Sequence, residues 1–463
     1  MNGRLLLACG LSFLPSLLLA RPAATPRDLQ RAPGLEHASI SISVKRVDDG
    51  RVVHEYNPRL SLRPASVMKL LPAFLALEKE GAAFTYRTTL SHSGTIRDGV
   101  LHGQLVITAG GDPALGSACF PGDSFPRQVV EATRRAGIKR LLSPPVVEER
   151  GDPPRVPGSW PWEDVSNYYG ALYHPFNYRD NTYTITLAAG QPGEPARILA
   201  VDPPTMELAL DNRAITDPAG RNDVWIYGGP LASRLLLAGS VTGDPPCYPV
   251  KGAMHAPSRA FARELTALLE EEGIAVGRDG LPGDLPAPGE ERRVLLTVES
   301  PPLEEIVYQT NRKSVNLFAE ALGALVDPAA FGRAAKERLG SAGIDTSGVI
   351  IEDACGLSPA NAAPAGFFTD FLAWAYPRSP AFLASLPEGM VDASLAVYAA
   401  HPSLGPHLRA KTGSMTRVRA LAGYLFSPRD GWLAFTIIVN NYTCTPRQLQ
   451  ELLRDFLASF SRP

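Results

Sequence analysis

The chain has 463 residues, 45% hydrophobic and 20% charged, which is enough interior for a real core and the composition of an ordinary globular protein of two or three domains. Its 45 Lys and Arg against 47 Asp and Glu leave a net charge of -2, and this excludes the basic surplus that a nucleic-acid partner requires. The 43 Pro beside 41 Gly point to many turns, and only eight of the basic residues are Lys, so a Lys inside a chemical motif is less readily there by accident.

Met1 to Arg4 is a short basic start, Leu5 to Ala20 is almost wholly apolar, and small residues follow at Ala23 and Ala24. This reads as a secretory signal peptide over 1–20. An N-terminal anchor is the alternative, but the run is short and broken by Pro15. Leu6-Leu7-Ala8-Cys9 has the outline of a lipoprotein box with too little apolar chain before the Cys, so lipidation is discounted. No other stretch reaches membrane length, and the expected mature chain is a soluble protein of an exported compartment, with no transmembrane segment after signal cleavage. Cys119, Cys247, Cys355 and Cys444 then remain. An oxidising compartment permits zero, one or two disulfides among them, and no spacing resembles a metal knuckle.

Ile40, Ile42 and Val44 alternate with polar residues, Asp48-Asp49-Gly50 supplies a turn, and Arg51 to Tyr56 returns as a second strand. Pro64 precedes Ala65 to Leu71, and helical spacing continues through Phe74, Leu75 and Leu77. Ser66 therefore sits near a helix N-terminus, where unpaired NH groups are available. From Ser91 to Pro288 the chain is rich in Gly, Pro and short β-like runs such as Thr182 to Leu187, Val224 to Tyr227 and Leu235 to Val241, with one helix over Ser258 to Glu272. Near the far end Ala420 to Phe426 and Trp432 to Asn440 read as paired strands. A last helix is capped by Thr445, with Pro446 in its first turn and Gln448 three residues after the cap, and its stripe is Leu449, Leu452, Leu453, Phe456, Leu457 and Phe460.

Three short motifs each occur once: Ser66-Val67-Met68-Lys69, Ser314-Val315-Asn316 and Lys411-Thr412-Gly413. A serine hydroxyl is a poor nucleophile until a base removes its proton. Lys69 lies one helical turn after Ser66 on the same face, so its amine can reach that hydroxyl. An amine at its ordinary pKa of about 10.4 is protonated and useless as a base, so burial or a neighbouring cation must depress it, and Lys411 is the obvious cation. Ser314 can relay a proton to a leaving amine, and Asn316 can hold substrate backbone. Lys411 to Gly413 reads as an edge strand that offers backbone pairing to an extended peptide, with Lys411 and Thr412 for a carboxylate and Gly413 for close approach. The backbone NH groups of Ser66 and Ser414 could form the oxyanion hole.

Each motif alone is weak, and an SxxK is most often a surface helix pair. Together they form the set of the serine β-lactamases and penicillin-binding proteins. The 248 positions from Ser66 to Ser314 exceed what a helical subdomain needs and coincide with the β-rich middle. With Gly110-Gly111-Asp112-Pro113, Trp160-Pro161-Trp162-Glu163-Asp164, Tyr168-Tyr169-Gly170, Asn311 to Glu320, Asp353 to Ser358 and Leu421 to Tyr424, the chain resembles the penicillin-binding protein 4 family of D-alanyl-D-alanine carboxypeptidase/endopeptidases (peptidase family S13).

That resemblance implies an α+β fold: a serine β-lactamase/transpeptidase-like domain, an antiparallel sheet flanked by helices, carrying β-rich inserted domains. The expected partition is a discontinuous catalytic domain of 25–90 and 292–463, an inserted domain of 91–168 and 252–291, and a second β-rich insert of 169–251. It implies hydrolysis of peptidoglycan stem peptides through a Ser66 acyl-enzyme and covalent inhibition by β-lactam antibiotics, with no cofactor and no metal. Asp164 is similar to the acid that binds the free amine of the stem's diamino acid, with Met415 lining the same pocket. The chain departs from the family at Val315, expected to face away, at Cys355, and at Ala393-Ser394-Leu395 in place of Gly-Thr-Leu. A β-lactamase, which would need a dedicated deacylation Glu between the first two motifs, and a catalytically silent wall-binding or β-lactam-sensing module are the alternatives. The intact motif set argues against the silent module.

Bland readings apply elsewhere. Burial preferences favour core packing over a sugar-stacking platform for Trp160, Trp162, Tyr168 and Tyr169. His174 has no ligand spacing, Cys355 reads as a small buried residue with no paired His, and Glu270 to Glu272 read as a solvated helix end.

Overall fold

Alternating apolar residues build an antiparallel sheet of five strands in the order Leu408–Met415, Val418–Ser427, Gly431–Asn440, Ser39–Arg46, Val52–Tyr56. The structure is a computed structural model that describes residues 25–461 except Asp123, 150–154, Thr205, Glu207 and 278–290. The expected signal peptide lies outside the described residues. Both ends of the chain meet in this sheet, since Ser39–Arg46 pairs along its length with Gly431–Asn440. Successive side chains point to opposite faces, and both faces are covered. Ile40, Ile42, Leu421, Phe435 and Ile437 pack with the C-terminal helix Pro446–Ala458, whereas Ala420, Ala422, Ala434 and Ile438 pack with helices on the other side.

The C-terminal helix starts where the sequence signals it. The Thr445 side chain accepts from the Gln448 NH while the Gln448 side chain reaches back to the Thr445 NH, a capping box that contributes about 1 kcal/mol. On the opposite face lies Leu70–Glu80, apolar on nearly every side because it runs through the interior among Leu303–Lys313, Asn316–Val326 and Ala365–Ala375. Phe74 meets Phe371 and Phe382 edge-on at 5.6 and 5.5 Å. The expected helix from Ala65 is divided: Ala65–Lys69 is a 3-10 turn, entered through Ala65 at a positive φ of 47°, and the α-helix begins at Leu70.

In the middle of the chain, Arg292–Glu299, Arg87–Ser93, Leu105–Thr108 and Val146–Glu148 form one four-stranded sheet under helices Phe125–Arg135 and Pro257–Glu271, with Phe125 stacked on Phe261 at 5.3 Å. Boundaries at 90 and 292 fall inside this sheet, because Arg87–Ser93 and Arg292–Glu299 are hydrogen-bonded partners whose Leu90 and Val298 share the cluster around Phe261. Two three-stranded sheets, Arg197–Asp202 with Thr182–Ala188 and Cys247–Ala253, and Leu210–Thr216 with Leu235–Val241 and Asp223–Tyr227, enclose a separate apolar cluster. No helix among the described residues is long and apolar enough to cross a membrane, and the four cysteines Cys119, Cys247, Cys355 and Cys444 are unpaired thiols.

Candidate active site

Ser66 stands on the 3-10 turn that precedes the buried helix, and the short turn brings the side chain three residues on to meet it. The Lys69 amine donates to Ser66 Oγ at 3.1 Å, to Asn316 Oδ1 at 2.6 Å and to the Cys355 carbonyl at 2.6 Å. As an ammonium it meets a partner with each proton; as a neutral amine it keeps two protons for Asn316 and Cys355 and turns its lone pair to Ser66 Oγ, while its side chain is fully buried. Burial lowers the Lys69 pKa, and the nearby Cys355, Asp353 and Glu320 oppose that shift.

Ser314 and Asn316 come from the junction of two helices, Leu303–Lys313 and Asn316–Val326. Ser314 adopts the left-handed conformation at φ 58°, which ends the first helix, and its Oγ accepts from the Lys411 amine at 2.9 Å. Asn316 faces two ways, taking the Lys69 proton on Oδ1 and donating through Nδ2 to the Tyr169 carbonyl at 2.7 Å. Val315, expected to face away, contributes instead to the wall of the cleft.

Lys411, Thr412 and Gly413 lie on the edge strand of the sheet, as expected. Lys411 is buried, and burial first, then the charges of Lys69 and Arg419, push its pKa well down. The charge of Lys69 thus disfavours protonation of Lys411, whereas Lys69 itself is lowered by burial and not by Lys411, the cation expected to do so. A Cβ on Gly413 would stand 2.4 Å from the Pro64 carbonyl and 3.2 Å from the Ser66 nitrogen. Only glycine lets this strand close on the nucleophile turn and bring the Gly413–Ser414 backbone beside Ser66.

Ser66, Ser314, Asn316, Ser414, Met415 and Asp164 line one cleft of about 720 Å³. Lys69 and Lys411 lie directly behind its hydroxyls, and Thr412 does not line it. Asp164 accepts from the Tyr169 hydroxyl at 3.0 Å, and burial raises its pKa; Glu163 lines the cleft beside it. Of the aromatic cluster, core packing describes Trp160, which is buried and donates to Asp353 at 2.8 Å. It does not describe Trp162 and Tyr168, which are 62% and 56% exposed, or Tyr169, which lines the cleft. Tyr168 and Tyr169 find their contacts in the cleft wall, and Trp162 packs against Tyr227 at 5.0 Å.

The sequence reading missed the support behind Lys69. Glu320 Oε1 accepts from the NH groups of Ala354 and Cys355 at 3.0 and 2.8 Å, which aims the Cys355 carbonyl at Lys69. Asp353 accepts from the NH groups of Gly356 and Ser358, both at 2.6 Å, and from the Asn361 amide at 2.8 Å. Glu320 stands four residues after Asn316 on one helix, a spacing that places both on one face and was the available signal. Glu320, Asp353 and Cys355 gather donor atoms within 4.8 Å of one another. Their carboxylate oxygens are already occupied by backbone NH groups, and the Lys69 amine supplies the positive charge, so the cluster reads as an electrostatic seat for Lys69.

The fold has known counterparts. The crystal structure of penicillin binding protein 4 (dacB) from Haemophilus influenzae matches with a TM-score of 0.78 at 20% identity, over 94% of this chain and 99% of that one. A second structure of it, complexed with a novel β-lactam, matches with a TM-score of 0.74 at 21% identity, over 93% and 98%. The architecture is thus that of a penicillin-binding protein, α+β with a transpeptidase-like sheet. In sequence, the D-alanyl-D-alanine carboxypeptidase of an Actinomadura species is 27% identical over 93% of this chain and 83% of the relative. The D-alanyl-D-alanine carboxypeptidase DacB of Haemophilus influenzae is 23% identical over 93% and 92%. Residues 25–459 match the D-Ala-D-Ala carboxypeptidase 3 (S13) family, and the chain belongs to that family. It is a serine-type hydrolase of the penicillin-binding class.

Proposed function

We propose that this protein removes the terminal D-alanine from peptidoglycan stem peptides, and opens D-centred cross-links, through an acyl-enzyme on Ser66. The observation that carries this reading is the double pairing in the cleft, Lys69 with Ser66 and Lys411 with Ser314. The neutral Lys69 amine takes the Ser66 proton, and Oγ attacks the carbonyl carbon of the penultimate D-alanine. Negative charge on the carbonyl oxygen is met by the NH groups of Ser66 and Ser414. As the C–N bond breaks, the proton is delivered through Ser314 to the leaving amine, and Lys411 holds that hydroxyl in place. Water then attacks the ester and releases the shortened stem. Asn316 and the strand edge orient the substrate, with Thr412 and Lys411 toward its terminal carboxylate. Asp164 and Met415 face the side chain of the diamino acid.

A β-lactam presents its strained ring carbonyl in place of the peptide carbonyl, and Ser66 attacks it to give the acyl-enzyme. The same reading places the enzyme outside the cytoplasm, where its substrate is. It also divides the chain into a catalytic unit built from both ends and two β-rich inserts, with the inner junctions at the ribbon formed by Arg87–Ser93 and Arg292–Glu299. Incubation with fluorescent penicillin and with a pentapeptide ending in D-Ala-D-Ala tests the reaction. Stable labelling of the wild type but not of Ser66→Ala, with release of D-alanine, is the expected result. Rapid turnover of the label would identify a β-lactamase, and absence of label a silent module.

A further inference from the structure

Three cations line the cleft with no ion-pair partner among the described residues. Arg63 precedes the nucleophile turn, Lys313 closes the helix before Ser314, and Lys251 comes from strand Cys247–Ala253 of the inserted β region. None of the three enters an ion pair or donates a side-chain hydrogen bond among the described residues, and all three are exposed. Lys313 and Lys251 stand on the same wall as Cys119, whose thiol is pushed up by burial and by Asp180 against the opposing charges of these two lysines. The acid on the same side, Asp180, is already engaged by the Ser117 hydroxyl and by the Ala118 NH at 3.2 Å. The remaining acids of the cleft, Glu163 and Asp164, belong to the stretch that carries Tyr168 and Tyr169. In a chain with eight lysines, two of them and an arginine stand on one cleft without an ion-pair partner among the described residues, three cations open to an anionic ligand beside the cleft's acids Glu163, Asp164 and Asp180.

We propose that Lys251, Lys313 and Arg63 form an anion subsite that recognises the carboxylates which the stem peptide carries on the amino side of the scissile bond. This rests on the reading of the cleft as a stem-peptide site and adds to it. A stem peptide in which glutamate is linked through its side chain keeps a free α-carboxylate there, and a diamino acid with two carboxyls keeps a second. Both acids are distinct from the terminal carboxylate assigned to Thr412 and Lys411. The inserted region thereby contributes to selection of substrate through Lys251. Carboxylate–ammonium pairs at exposed positions are weak singly and screened by salt, so the effect expected from the set is about three- to tenfold.

The test compares pentapeptide stems that carry free carboxylates upstream of the scissile bond with stems amidated at those positions, on the full exported chain. Each stem is assayed for D-alanine release and for competition with fluorescent penicillin at Ser66. The wild type is expected to prefer the free acid by about three- to tenfold at low salt. That preference should fall at high salt and fall toward unity in Lys251→Ala/Lys313→Ala, and singly amidated stems show which carboxylate is read. An equal response to acid and amide in the wild type, or a preference that survives the double substitution, overturns the subsite. Penicillin labelling without hydrolysis of any stem would instead overturn the carboxypeptidase reading, and the competition ratio would still decide the subsite.

Discussion

The Lys69 amine donates to the carbonyl of Cys355, 286 positions away, at 2.6 Å, while reaching Ser66 Oγ at 3.1 Å. One fixed acceptor behind the amine and one on its flank at Asn316 leave it pointed at the nucleophile, and burial biases it toward the neutral form that a base requires.

Lys69→Met keeps the length of the side chain and removes the base. Acylation by penicillin should fall by about 10²- to 10⁴-fold, the usual contribution of a positioned base. The far-UV spectrum and a cooperative unfolding transition should persist, at a lowered midpoint, because the chain volume is kept while Asn316, Cys355 and the Glu320 and Asp353 acids lose the buried amine. Stopped-flow labelling measures the first and thermal unfolding the second. Labelling at the wild-type rate would remove Lys69 from the role of base.

Glu320 gives a pH-dependent signature. Its carboxyl is pushed up to about 7, chiefly by burial and then by Asp353, against hydrogen bonds from Cys355 and the charge of Lys69. A carboxyl whose folded value exceeds its unfolded value of about 4.5 contributes stability that is present below 4.5 and is lost as pH rises toward 7. The stability of wild type relative to Glu320→Gln should therefore decline between pH 5 and pH 7 and level off above it, read from urea midpoints. The substitution also removes a charge that raises the Lys69 value. The acid limb of penicillin acylation should move to lower pH, and a limb that stays in place would separate Glu320 from the electrostatics of the base.

What could be read from the sequence was carried by side chains at fixed local spacing. Ser66 with Lys69, and Thr445 with Gln448, are pairs whose chemistry and position are visible together. The Cys355 and Tyr169 carbonyls were invisible because every residue has a carbonyl, and only the tertiary fold aims these two at Lys69 and Asn316. Ala65 was hidden for a related reason: it takes a positive φ without being glycine, so nothing marks the break between the 3-10 turn and the helix. The pairing of Arg87–Ser93 with Arg292–Glu299 joins segments about 200 residues apart, which local composition does not register. Trp162 and Tyr168 carry apolar rings that look like core, yet Tyr168 lines the cleft and Trp162 packs on Tyr227 with most of its surface exposed.

Gly413→Ala tests the closeness of the edge strand to the nucleophile turn. The added Cβ would meet the Pro64 carbonyl at 2.4 Å and lie 3.2 Å from the Ser66 nitrogen, so the strand must retreat. Retreat pulls the Ser414 NH away from the position where the oxyanion develops. Loss of one such donor costs about 10²- to 10³-fold in kcat, with the sheet otherwise intact because Gly413 pairs with Ala420 through its backbone. Single-turnover acylation measures this. A rate within twofold of wild type would show that the strand contact does not set the oxyanion site.

Asp164 should act on peptides through its charge. Its carboxyl is half-buried, hydrogen-bonded to the Tyr169 hydroxyl at 3.0 Å, and raised in pKa by burial, with Glu163 adding to the rise. An ionised Asp164 attracts the free amine of a diamino acid, so wild type should favour a stem with a free side-chain amine over its N-acetylated form. The preference should weaken as pH falls through the raised pKa, because the protonated acid no longer offers a charge. Asp164→Asn should abolish the preference at all pH values, with the change in KM for the free-amine stem, since the interaction is made in the ground state and the transition state alike. Comparison of kcat/KM for the two stems from pH 4.5 to 8 measures both effects. A free-amine preference that persists in Asp164→Asn would move the amine site elsewhere in the cleft, with Glu163 the nearest acid.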